Sequence, residues 1–208
     1  MAIFPGSAIP SAAAADYTID QSLRFEDGDS AFLSRTPAAA GNRKTYTWSG
    51  WVKRGNLVGT GDCQYIFSAN GSSDETSLRW DNTVDDALTF FDLQSGSYKC
   101  NLVTNALYRD PSAWYHIVFA VDTTQTTASD RNKLYVNGEQ ITSFSTETNF
   151  GLNDDSVMNS TTTQYVGHYA TAFYLDGYLA EVHFIDGQQL TPSSFGEEEH
   201  IVIITINN

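Results

Sequence analysis

Between Gln21 and Phe195 the chain alternates apolar and polar residues in short runs, and clusters rich in Gly, Asn and Asp separate them. A period of two places one set of side chains on a buried face and the other on an open face, the mark of a half-buried strand. The pattern predicts strands near 22–26, 31–35, 45–54, 64–69, 76–81, 87–92, 97–104, 113–121, 132–136, 139–145, 163–168 and 178–185. Asp27-Gly28-Asp29, Gly59-Thr60-Gly61-Asp62, Asn70-Gly71 and Ser95-Gly96 punctuate them as turns. A helical period never lasts beyond one or two turns. The local helix signal is Thr191-Pro192-Ser193-Ser194-Phe195, with Thr at the N-cap and Pro at the first helical position. Many short strands with such turns predict an all-β, antiparallel β-sandwich or barrel.

The segment Trp114–Gly138 gives the sharpest local prediction. It reads as two strands, and the second ends in Asn137-Gly138. Asn-Gly favours a two-residue type I′ hairpin, which needs positive φ at both central positions. The hairpin would set Leu134 opposite Ile141 and Val136 opposite Glu139. The polar stretches Asp122–Asp130 and Gly151–Thr162 read as exposed loops.

Both ends differ from the middle. Residues 1–19 are rich in Ala, Pro and Ser and read as an extended arm, with Ile3, Phe4 and Ile9 as its apolar exceptions. Residues 20–196 form the sandwich. Residues 197–208 are a tail containing Ile201-Val202-Ile203-Ile204-Thr205-Ile206. A β-branched run of this kind has strong strand propensity and is an aggregation hazard unless paired. It is expected to pair as a last strand of the same sheet, with a neighbouring chain as the alternative. Ile3, Phe4, Ile9, Ile201 and Ile203 are therefore the candidate assembly residues.

Composition narrows the function classes. The chain has 208 residues, 41% of them hydrophobic, enough for one sizeable core. Eleven basic against twenty-five acidic residues give a formal charge of −14. Such a surface repels nucleic acid phosphates and anionic lipid heads, so neither is an expected partner. The N-terminus has no basic n-region, so no secretion signal is expected, and no apolar run is long enough to span a membrane. Two cysteines, Cys63 and Cys100, are too few for a disulfide framework. These features together predict synthesis in a cytoplasm.

Several blocks, in order, carry a resemblance. They are Ser22–Phe25 with Ala31–Leu33, Tyr46–Lys53, Trp114–Val118, Lys133–Gly138, and Tyr165–Gly167 followed by Leu175–Val182. Together they resemble a concanavalin A-like lectin/glucanase domain of the laminin-G or pentraxin type. The longer blocks SLRFEDGDSAFLSRTPAAAGNRKTYTWSGWVKRG and YLDGYLAEVHFIDGQQLTPSSFGE are similar to laminin-G-like virion proteins of tailed bacteriophages. The resemblance implies a concanavalin A-like jelly roll. It also implies a non-enzymatic virion structural protein: a capsid decoration, fibre or tail-associated subunit. Such a protein would be made in the host cytoplasm, held to other virion proteins through the N-terminal arm, and homo-oligomeric. The alternative is a carbohydrate-binding host-adhesion module that recognises a surface glycan, with or without Ca²⁺. In the resembling proteins the chain continues into a Trp- and Gly-rich strand where this one reads EEEHIVIITINN.

The residues point away from catalysis. Glycosidases on this kind of fold set carboxylates at alternate positions of one strand, so that acid and nucleophile flank the sugar bond. That spacing does not occur here; Glu26-Asp27-Gly28-Asp29 contains a turn glycine, and Glu181 stands alone in its strand. His116, His168, His183 and His200 are dispersed, and His116 and His183 read as structural. No cofactor is required. Ca²⁺, which takes six to eight oxygens, has candidate ligands in Asp81, Asp85 and Asp86, or Asp154 and Asp155. Sugar binding needs an exposed ring beside polar groups. The candidates are Trp80 with Asn82, and Tyr169, Phe173 and Tyr174, while Trp48, Trp51 and Trp114 read as core.

Overall fold

The computed structural model describes residues 21–57, 62–71, 73–81, 84, 86–169 and 172–196. The N-terminal arm with Ile3, Phe4 and Ile9, the tail with Ile201 and Ile203, and the candidates Asn82 and Asp85 lie outside them.

Fifteen strands are present among the described residues. They are β1 (Leu23–Phe25), β2 (Leu33–Arg35), β3 (Thr45–Arg54), β4 (Gln64–Asn70), β5 (Glu75–Trp80), β6 (Ala87–Gln94), β7 (Ser97–Leu107) and β8 (Trp114–Asp122). After these come β9 (Asn132–Val136), β10 (Glu139–Gln140), β11 (Phe144–Thr148), β12 (Gln164–Val166), β13 (His168–Tyr169), β14 (Ala172–Tyr174) and β15 (Gly177–Asp186). Two antiparallel sheets face each other. One has six strands in the order β1-β15-β3-β8-β9-β10; the other has seven, β11-β7-β6-β5-β4-β12-β2. The predicted sandwich is what forms. No helix among the described residues is long and apolar enough to cross a membrane.

The core lies between the inner faces of the sheets. β3 sends Tyr46, Trp48 and Val52 inward, β8 sends Ile117 and Phe119, and β5 and β6 send Leu78, Trp80, Leu88 and Phe90 from the opposite side. Phe90 and Phe119 stack across the sandwich with ring centroids 3.6 Å apart. The alternation that buries Trp48 and Val52 turns Trp51 to the outer face, where it pairs with Ala180 and His116. Trp114, opposite Lys53, is on that same outer face. The core expectation therefore holds for Trp48 and is corrected for Trp51 and Trp114, both half-buried.

The Asn-Gly hairpin forms as its sequence dictates. Val136 pairs with Glu139, and the Ile141 amide donates to the Leu134 carbonyl at 2.8 Å. Asn137 and Gly138 have φ of 52° and 84°. A Cβ at Gly138 would meet nothing within 4 Å, so only the backbone conformation demands glycine there. A left-handed conformation costs an L-residue about 1–2 kcal/mol. Gly138→Ala should lower unfolding free energy by that amount in urea titration, with an unchanged denaturant slope.

The predicted strand 139–145 divides. β10 stays in the six-stranded sheet and β11 pairs with β7 in the other. The loop Gly151–Thr162 is less exposed than its polarity implied, because Ser156, Val157 and Met158 turn inward and cover one end of the core. Cys63 and Cys100 are both buried thiols. Pro192–Ser194 forms a single 3-10 turn, with Thr191 extended before it.

Candidate functional site

The candidate rings Tyr169, Phe173 and Tyr174 stand on a small hairpin of β13 and β14 between Gly167 and Gly177. His168 pairs with Tyr174 and Tyr169 with Ala172. The hairpin packs on β4, where Ser68 Oγ donates to the His168 carbonyl at 2.8 Å. At its base the Gly167 amide donates to the Ile66 carbonyl, and the Gly167 carbonyl accepts from the Leu175 amide. Gly167 has φ of 76°, and the Phe25 ring sits where its Cβ would be.

Side chains leave the hairpin on two sides. On one side Tyr169 and Phe173 meet Tyr65 of β4. The Tyr65 ring lies 4.8 Å from Tyr169 and 6.1 Å from Phe173, at interplanar angles of 29° and 28°. Tyr65 is the buried base of this set, Tyr169 is half-buried, and Phe173 is its exposed tip. Phe173 has φ of 61°, a left-handed conformation that bulky residues avoid. That conformation aims an apolar ring at solvent, against both backbone preference and the hydrophobic effect. On the other side Tyr174 stacks on His168 at 4.3 Å, and Phe32 closes on His168 at 4.6 Å.

Charged groups lie beneath the first set. Tyr65 of β4 stands opposite Arg79 of β5 in register. The Arg79 guanidinium donates to the Tyr65 hydroxyl, and its centre is 5.2 Å from the Tyr65 ring and 4.6 Å from the Phe91 ring. A second nitrogen of Arg79 holds Asp81 at 3.1 Å. The Tyr65 hydroxyl reaches Glu75 at 3.4 Å. Burial raises the Glu75 carboxyl above the ordinary range, and Arg79 and hydrogen bonds from Tyr169 and Tyr65 offset part of it. Burial likewise raises the Tyr65 and Tyr169 hydroxyls, so both remain neutral donors at physiological pH. Tyr98, well exposed, extends the ring series edge-on to Phe91 at 5.8 Å. The arrangement offers a flat apolar face with phenol and carboxyl groups alongside, which suits a ring that is apolar on its face and polar at its rim.

The structure sorts the remaining candidates. Trp80 is fully buried, packed among Tyr108, Tyr115 and Arg54, so its ring is unavailable to a sugar. Its position on the inner face of β5 is the reason. Asp81 is buried against Arg79, and Asp86 is held by two arginines; both carboxylates act as ion-pair partners in place of the expected metal ligands. Asp154 accepts the Gly151 amide at 2.9 Å and stabilises its own turn. Asp155 is exposed, and its carbonyl accepts from Gln94. Among the described residues the carboxylates that do converge are Glu26, Asp27 and Asp176, within 4.8 Å of one another. Burial and the two neighbouring acids raise Asp176, while Arg24 pairs with Glu26. Asp176 is distant from the other two in sequence, so no spacing motif could reveal the group. His116 has the structural role expected, with Ser49 Oγ 3.0 Å from its Nε2 and Trp51 stacked on it at 4.9 Å.

Comparison with known proteins places the domain in a family. Residues 26–194 match the model of the concanavalin A-like lectin/glucanases superfamily, of the laminin-G type. The chain belongs to this superfamily. Its fold is similar to a heptameric SAP-like pentraxin from Limulus polyphemus (17% identity, 77% of this chain and 71% of that one, TM-score 0.52). It is also similar to domain 4 of AbnA, an extracellular arabinanase of Geobacillus stearothermophilus solved with arabinotriose (20%, 76% and 66%, 0.52). A third similar fold is the CBM40 module of a Ruminococcus gnavus sialidase (12%, 84% and 96%, 0.52). No curated protein sequence matches the chain.

Proposed function

We propose that this chain is a non-catalytic carbohydrate-binding domain whose site is the Tyr65, Tyr169 and Phe173 ring set. The observation that carries the reading is Phe173, exposed and held at positive φ beside two stacked tyrosines. A ring kept in that conformation without burial supports the reading of a ligand face. The superfamily is one of lectins and glucanases, and the similar arabinanase domain was solved with an oligosaccharide, which supports the choice of ligand.

The test is a glycan array followed by calorimetry on the best ligand. Phe173→Ala is expected to weaken binding about tenfold, the scale of one lost aromatic stacking contact with its buried area. Its melting temperature should stay within about 2 °C, because the ring is exposed. Undiminished binding by Phe173→Ala and Tyr169→Ala would remove this site. A chelator arm tests the role of Ca²⁺, with Asp176→Asn as the matching variant.

The setting we infer is a bacteriophage particle, supported by the resemblance of the 22–55 and 174–197 blocks to phage virion proteins. Many copies would make weak single-site binding effective. Deleting residues 1–15 should leave a folded domain that no longer joins the particle. Normal incorporation of that deletion would refute the attachment role.

A further inference from the structure

Among the described residues the two sheets do not close on one flank. Among the described residues β2 is the last strand of the seven-stranded sheet and pairs only with β12. On the facing sheet, β1 covers β15 only from Gly177 to Leu179. Beyond a bulge at Glu181, β15 runs on to Asp186 with β3 on one side and, among the described residues, no strand on the other. Between the two open edges lies a groove of about 540 Å³. Its floor is Trp48, Phe67, Val166, Val182 and Phe184, with Leu33 on its rim. Leu33 and Val182 are exposed, and so is Leu23 at the point where β1 begins. Such a volume would also suit a small ligand, so size does not decide the occupant. The flanking edges do, because unpaired strand edges present rows of amides and carbonyls that a further strand satisfies.

We propose that the groove is a strand-binding site and that its occupant is residues 16–20 of this same chain. The direction of β1 argues for them. β1 is antiparallel to β15, with Leu23 opposite Leu179 and Phe25 opposite Gly177. The line of β1, extended backwards from Leu23, runs along that edge of β15 toward Asp186. Opposite β3, two residues of β15, Glu181 and Val182, face the single residue Gly50. Carrying that offset across sets Asp20 opposite His183, Ile19 opposite Phe184, Thr18 opposite Ile185 and Tyr17 opposite Asp186. Phe184 and Val182 face the groove. Ile19 and Tyr17 would then enter it, while Asp20 and Thr18 face solvent. The sequence Tyr17-Thr18-Ile19-Asp20 has the alternation this placement requires.

Cysteine pairing in the full chain tests the register. Thr18→Cys combined with Ile185→Cys should oxidise to an intramolecular disulfide in most molecules, mapped by mass spectrometry. Thr18→Cys with Lys133→Cys, across the sheet, should not. Absence of the first link overturns the proposal, and a disulfide-linked oligomer overturns it in favour of a second copy's strand. Hydrogen exchange gives an independent reading. Amides of 182–186 should lose at least tenfold of their protection when residues 1–20 are removed. Unchanged protection, or loss only when residues 197–208 are removed instead, also overturns it. If the truncated chain fails to fold, the disulfide result in the full chain decides.

Discussion

Asp86→Asn is expected to destabilise the domain by about 3–5 kcal/mol, the usual cost of removing one partner from a buried ion pair. The Arg54 side chain is entirely buried, and its Nη2 meets Asp86 Oδ1 at 2.8 Å. A second nitrogen donates to the Tyr108 carbonyl at 2.7 Å, and the guanidinium stacks 5.0 Å from the centre of Trp80. Burial lowers the pKa of Arg54, and Asp86 opposes that shift. Removing the carboxylate would leave a guanidinium in the core without its counter-charge. Arg109, half exposed, holds the other oxygen at 2.9 Å and contributes less because water screens it.

Asparagine is the informative substitution because Asp86 has φ of 66°, which Asn tolerates. The turn survives and only the charge is lost. The double variant Arg54→Met/Asp86→Asn removes both charges from the site and should recover most of the loss. Urea unfolding of the two variants checks this. Equal destabilisation would mean that the turn, and not the ion pair, is what Asp86 supplies.

Asp86 also marks where sequence reasoning stops. A carboxylate followed by Ala87 at the start of a strand has the composition of a calcium loop and of an ion-pair partner alike. The difference is Arg54, brought over by β3 from thirty-two positions earlier. The strands themselves were legible, because a period of two and Gly, Asn and Asp turns are local signals. Trp80 could be placed in β5 but not on its inner face until the register with β4 and β6 was known. The hairpin β13–β14 was hidden for a different reason: strands of two and three residues are too short to show a period. Its rings were nevertheless visible as a group. Their partners Tyr65 and Arg79 were not, since only the β4–β5 pairing sets them side by side beneath the hairpin.

Asp92→Ala is expected to cost about 3–5 kcal/mol, from several buried donors left without an acceptor at roughly 1–3 kcal/mol each. Asp92 Oδ2 accepts from Thr76 Oγ1 at 2.5 Å, Ser156 Oγ at 2.7 Å and the Val157 amide at 2.9 Å. Gln94 donates to the other oxygen at 2.6 Å. The Tyr46 hydroxyl donates to Ser156 Oγ, so the network ties the inner face of β3 to β6 and to the 151–162 loop. That loop covers one end of the core, and loosening it exposes Val157 and Met158.

The same group sets a pH dependence whose sign is opposite to that of a surface ion pair. Burial raises the Asp92 carboxyl above its ordinary value, and the four hydrogen bonds offset only part of that shift. The folded state therefore holds the proton at a pH where the unfolded chain, with a carboxyl near about 3.9, has released it. Stability from this group is fully present below the unfolded value and is lost as pH rises through the folded one. Asp92→Asn lacks this titration. The advantage of wild type over Asp92→Asn should thus be largest near pH 4 and shrink as pH rises, in urea midpoints taken at successive pH values. A gap that widens with rising pH would mean that the hydrogen bonds outweigh burial and that the carboxyl is lowered in the folded state. A pH-independent gap would mean that the two balance.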